Sequence, residues 1–168
     1  MSSSEADLRR RRWLAALPLL ALAGCGFELR RAADLQFQSI ALAGLAPRST
    51  LAEELRTVLE RTVELKDAPE QAQVILQALS EERLRRVVAF TASGQVRDIQ
   101  LRLRFKYRAQ TPSQRELIPD SQIELIRELS FVESKALGKE QEAQDLFREM
   151  QSDIVLQVML RLSAIRLA

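Results

Sequence analysis

The 168-residue chain contains no histidine, one cysteine, one tryptophan, one tyrosine, five glycines and five prolines. Without histidine, Ser-His-Asp and Cys-His nucleophile systems and every His-ligated zinc site are excluded. A lone thiol closes no disulfide within the chain and holds no thiolate cluster. The five glycines form neither a G-x-G-x-x-G nor a Walker-type phosphate loop. Paired carboxylates remain the one route to acid-base or metal chemistry. The candidates, Glu53/Glu54, Glu81/Glu82 and Glu140/Glu142, fall on segments that read as solvated faces or helix starts. The sequence points away from an enzyme, and no cofactor or metal is expected.

What is present begins with the position of that cysteine. Cys25 ends the run Leu22-Ala23-Gly24-Cys25, behind a positive segment Arg9 to Arg12 and an apolar stretch Trp13 to Ala23. The stretch suits a signal h-region of about 7 to 15 residues and falls short of the roughly 20 needed to span a bilayer. An ordinary secretory peptide with an incidental thiol is the competing reading, but small and aliphatic residues just before the only cysteine favour a lipoprotein signal. Residues 1–24 are then removed, Cys25 is acylated, 25–34 form a tether and 35–168 form a single globular domain. Two or more acyl chains, palmitate among them, anchor stably where one is marginal. Gly26, not aspartate, follows the cysteine, so delivery to the outer membrane is expected.

Processing also removes four of the 25 basic and two of the 23 acidic residues, so 21 of each remain and the mature chain is formally neutral. A global electrostatic case for nucleic-acid binding fails on that balance.

Along the mature part the pattern alternates between strand and helix. Leu35 to Leu42 reads as a strand, and Thr50-Leu51-Ala52-Glu53 as a capping box opening a helix that ends near Thr62 to Glu64. Its apolar positions Leu51, Leu55, Val58 and Leu59 share one face. After Lys66 to Pro69 a second strand runs through Val74, Ile75 and Leu76 and on to Phe90; a strand, a helix and a strand suggest a parallel crossover.

Beyond the turn Thr91 to Gly94, Ile99, Leu101, Leu103, Phe105 and Tyr107 take one face while Arg102, Arg104, Lys106 and Arg108 take the other. After a loop from Thr111 to Asp120, Ile123, Leu125, Leu129 and Phe131 repeat the alternation with Glu124 and Glu128 opposite, so acids are expected beside the guanidinium row. That row reads either as a phosphate-binding surface or as a solvated face neutralised by the acids; the second fits most of its residues better. Lys139 to Ile165 reads as a long amphipathic helix covering the sheet's apolar face. The expected fold is α/β of the α+β sandwich kind: a four-stranded mixed sheet with two helices on one face, in the order β-α-β-β-β-α.

Three segments, Cys25-Gly26-Phe27-Glu28-Leu29-Arg30, the Phe90 to Gln95 tip and Ala136-Leu137-Gly138-Lys139-Glu140, together resemble the LptE family of lipopolysaccharide-assembly lipoproteins, and the likeness runs through the mature chain element by element. The resemblance implies a non-enzymatic outer-membrane protein, anchored by lipid at Cys25 and facing the periplasm. It would plug and help assemble the LptD β-barrel, which delivers lipopolysaccharide to the cell surface. It also implies direct lipopolysaccharide contact, for which the matching positions are Arg97, nearest the hairpin tip, and Lys139. A lysine at a helix start opposes the helix dipole, and a phosphate held there with first-turn amides would relieve it. A pilotin-like lipoprotein for another barrel and a periplasmic lipid carrier, which needs an internal apolar cavity, remain the alternatives.

Overall fold

The computed structural model describes residues 34–167, so Cys25 and residues 26–33 of the tether lie outside the described residues. Within the described part the elements are β1 (Ser39–Ala43), α1 (Thr50–Glu60), β2 (Glu64–Leu65), β3 (Val74–Phe90), β4 (Val96–Gln110), β5 (Glu116–Ser130) and α2 (Ala136–Ser163). They build one mixed sheet in the order β2-β1-β3-β4-β5, with β1 parallel to β2 and β3, and β4 antiparallel to both neighbours. The sheet has five strands where the pattern predicts four. The extra strand, Glu64–Leu65, pairs through two residues, too few for any alternation to register.

Strict alternation makes β4 the spine of the core. Ile99, Leu101, Leu103, Phe105, Tyr107 and Ala109 all point to the helix side at no more than 4 % exposure. Phe105 and Tyr107 stack with centroids 5.3 Å apart. Burial pushes the Tyr107 phenol above its ordinary pKa of 10.0, opposed by the nearby Arg161 charge. Against this stripe α1 lays Leu51, Leu55 and Leu59, and α2 lays Ala143, Met150, Ile154, Val158 and Leu162.

Both helices close about two residues earlier than the sequence expectation, α1 at Glu60 and α2 at Ser163, and four other boundaries differ for a physical reason. The N-cap of α1 is Ser49, whose Oγ accepts from the Ala52 amide at 3.0 Å, not Thr50. Thr50 is the first helical residue and spends its hydroxyl on Gln151 and Arg83 instead. β5 begins at Glu116, so Pro119 and Asp120 lie inside a strand rather than a loop. An edge strand tolerates proline, because an outward position needs no amide donor, and the register shifts between Tyr107 and Ala109 opposite it. α2 begins at Ala136 and takes in Gly138, whose α-carbon faces open space. β1 is shorter than expected, since Leu35 and Phe37 pack on the core without pairing; Phe37 is 3 % exposed.

β1 ends where Gly44 takes a φ of 72° and presses on the Ala78 carbonyl, so closely that a Cβ would sit 2.2 Å from its oxygen. The chain turns away there toward α1, and among the described residues no other strand takes its place beside β3.

Candidate functional site at the open face and hairpin end

The face of the sheet turned away from the helices is polar because even-numbered residues of β4 must occupy it once the odd ones are buried. Arg104 sits in register between Glu82 of β3 and Glu124 of β5. Its Nε donates to Glu124 at 2.9 Å and its Nη1 to Glu82 at 3.0 Å. The hydrogen bond and then the charge of Glu124 raise the Arg104 pKa above its ordinary value. Arg102 approaches the same carboxylate at 3.2 Å, and Arg108 donates to Gln77 at 2.9 Å and lies 3.9 Å from Asp120. Lys106, opposite Ser80 and Gln122, is exposed. The basic row is thus a charge-compensated lattice, and the forks of Arg102, Arg104 and Arg108 already hold protein acceptors. It presents a hydrated, near-neutral wall and not an open phosphate clamp.

The two predicted contact residues lie at one end of the sheet. The hairpin between β3 and β4 closes with Thr91 N donating to Gln95 O at 2.8 Å and Gly94 at a φ of 81°. Arg97 follows; its backbone oxygen accepts from Phe131 N at 2.6 Å, and this bond ties the hairpin to the segment leading into α2. Its guanidinium, 62 % exposed, pairs with Asp98 at 2.8 Å. Lys139 stands in the first turns of α2 with its Nζ 2.8 Å from Glu142 and its side chain only 17 % exposed. Glu142 therefore supplies the negative charge that offsets the helix-start penalty.

Sequence reading missed other residues of this end. Lys135 is the N-cap of α2 and offers no side-chain cap, and the first turn carries no acid. Leu137, 90 % exposed, lies beside it, with Phe90 at 61 % and Val132 at 49 %. Arg85 bonds Glu140 at 2.5 Å and holds that carboxyl below its ordinary 4.5, first through the hydrogen bond and then through charge. A large apolar residue between Ala136 and Gly138 at the start of the last helix was the available signal.

Tyr107, Phe105, Leu103, Leu101, Met150 and Ile154 fill the space between sheet and helices at zero exposure. Among the described residues no three metal-ligating side chains cluster, and no helix is long and apolar enough to cross a membrane.

Comparisons with known proteins agree with this architecture. The chain is similar to an uncharacterized lipoprotein B from Nitrosomonas europaea, at 29 % identity and TM-score 0.70, covering 83 % of this chain and 91 % of that one. It shares its fold with the rare lipoprotein B of Shewanella oneidensis, at 21 % identity and TM-score 0.61 over 73 % of this chain and 93 % of that one. It also shares it with a minor lipoprotein of Acinetobacter baumannii, at 17 % identity and TM-score 0.62 over 77 % and 93 %. No curated protein matches the chain significantly. The family model LptE, described as lipopolysaccharide-assembly, matches residues 37–162.

Proposed function

The chain belongs to the LptE family of lipopolysaccharide-assembly proteins, and from that premise we propose that it is a non-enzymatic outer-membrane lipoprotein, acylated at Cys25, which plugs an LptD-type β-barrel. There it helps the barrel assemble and supports passage of lipopolysaccharide to the outer leaflet. The observation that carries this reading is the family match over residues 37–162, which takes in all five strands and nearly all of the last helix.

The physical character of the domain is consistent with such a role. A plug in a water-filled lumen needs a rigid body with a polar, nearly neutral wall, and the paired charges of β3, β4 and β5 supply one. A lipid carrier would need an apolar cavity, and the filled core argues against that alternative. Lipopolysaccharide, an amphiphile with phosphate groups, would be met at the hairpin end. Lys139 and Arg97 contribute charge there, beside the exposed Leu137 and Phe90.

Depleting the protein in its host tests the proposal. Newly made lipopolysaccharide should then fail to reach the surface, as read by modification of lipid A with an outer-leaflet enzyme. Undiminished surface delivery after full depletion would refute it.

A further inference from the structure

Five of the nine exposed large apolar side chains among the described residues lie on one strand: Leu79, Leu84, Val87, Val88 and Phe90 of β3. They stand beyond the point where β1 leaves. β1 pairs with β3 only as far as Gln77, and from Ser80 onward β4 is the only strand beside β3 among the described residues. From Ser80 to Val87 the register with β4 is unbroken, so this edge is regular over about 25 Å, and alternate N–H and C=O groups point away from β4. The other edge, β5, carries Pro119 with register shifts beside it, while the shifts of β3, between Ala78 and Ser80 and from Val87 to Phe90, fall at the two ends of the regular run. β3 has no proline between Val74 and Phe90.

A row of outward amides and carbonyls flanked by apolar side chains fits an extended chain, which alone satisfies both sets of groups. The charges specify it further. Glu81 accepts from Ser49 and Glu82 is held by Arg104, so both acids are engaged within the domain. Arg85, Arg86 and Arg102, with Leu84 and Gln100, line a cleft of about 200 Å³ beside the edge, large enough for one side chain; Arg85 is held by Glu140 and Arg102 by Glu124, so the exposed Arg86 guanidinium sets the charge an incoming strand would meet. The complement is a strand carrying an acidic residue at that point.

A second copy fits poorly. Antiparallel self-pairing places residues of one face opposite residues of the same face. Registers centred on Arg83, Arg85 or Arg86 set guanidinium against guanidinium. One centred on Leu84 sets Arg83 against Arg85, and one centred on Glu82 sets that acid against itself; like charges directly opposite destabilise.

We infer that the Ser80 to Val87 edge of β3 receives, by main-chain pairing, an extended acidic segment of the outer-membrane β-barrel that this protein plugs. This rests on the plug reading. The test uses the acylated, full-length protein purified in detergent with the barrel it carries along. Hydrogen exchange of the amides from Ser80 to Val87 is compared in the complex and in the isolated protein, and a photo-crosslinking residue is placed at Leu84 or at Val88. The expected result is at least roughly tenfold slower exchange in the complex, for alternate amides only, because β4 already protects the others. Crosslinks should fall on one barrel segment rich in Asp or Glu, with the two sites displaced by about four residues. Arg86→Glu should weaken barrel capture roughly tenfold without shifting the unfolding midpoint. A complex in which these amides exchange as fast as in the isolated protein overturns the inference and leaves the plug reading intact. Crosslinks to another copy of the chain overturn it in favour of self-association. Failure to recover any barrel overturns both.

Discussion

Gln151 closes a polar clasp among three elements that are distant in sequence, and its removal should cost more than any other single surface-proximal change. Its side chain is 5 % exposed. Nε2 donates to Thr50 O at 3.0 Å and to Glu54 Oε2 at 2.7 Å, while Oε1 accepts from Thr50 Oγ1 at 2.7 Å and Arg83 Nη2 at 2.6 Å. α1, β3 and α2 are thereby joined across up to 101 residues of chain. Gln151→Leu keeps the volume and deletes all four bonds. Arg83 keeps Thr50 and its place over Phe147, and Glu54 keeps Ser152, so neither charge is stranded. Two charge-assisted bonds at about 1 kcal/mol each after partial exposure, and two neutral ones at about 0.5, give a loss of about 3 kcal/mol. That corresponds to a fall of roughly 10 °C in Tm for a domain of this size. Urea unfolding of the soluble domain measures it. A double-mutant cycle with Thr50→Val, which removes the hydroxyl bond alone, should return a coupling of about 0.5 kcal/mol. A Gln151→Leu protein within about 0.5 kcal/mol of the parent would refute the clasp as a source of stability.

Other expectations follow from single sites. Gly44→Ala forces a left-handed residue against the Ala78 carbonyl and should cost at least about 2 kcal/mol in urea, whereas an alanine that left stability unchanged would show that β1 ends for another reason. Ser49→Ala removes the α1 cap and the partner of Glu81, about 2 kcal/mol together, and should speed hydrogen exchange in the first turn of α1; unchanged exchange would return the cap to Thr50. Arg85→Gln should bring the Glu140 titration, followed by NMR, back up toward 4.5. Because the folded value is depressed, the stability from this pair is present above the unfolded pKa and fades as pH falls through the folded one, so the variant's difference from the parent should vanish in acid. Lys139→Asp should leave folding intact, since an acid suits a helix start, and weaken lipopolysaccharide binding about tenfold; equal affinity would leave Lys139 as the partner of Glu142 alone.

Much of this fold is legible because burial is one-sided. β4 announces itself, since every second residue from Ile99 to Tyr107 is apolar and every intervening one from Arg102 to Arg108 is basic. The long stripe of α2 is legible for the same reason. β2 is not, because a two-residue strand has no period. The start of β5 is hidden by Pro119, which normally signals a loop and is permitted here only by the edge position. The shift of the α1 cap from Thr50 to Ser49 could not be read locally, since both residues are good caps and the choice is made by Gln151 and Arg83, which hold Thr50 from elsewhere in the sequence. The neutralisation of the basic row by Glu124 was visible in the alternation, but Glu82's part in it was not, because polar residues along the open half of β3 carry no pattern that assigns them to a face.

The central claim, that this protein works as the plug of a lipopolysaccharide-exporting barrel, is tested most directly by purifying the tagged, acylated chain from detergent-solubilised outer membranes and identifying its partners by mass spectrometry. The account predicts a large β-barrel of the lipopolysaccharide export system in one-to-one stoichiometry. A lipoprotein that elutes alone, or with a secretin in place of that barrel, would contradict it.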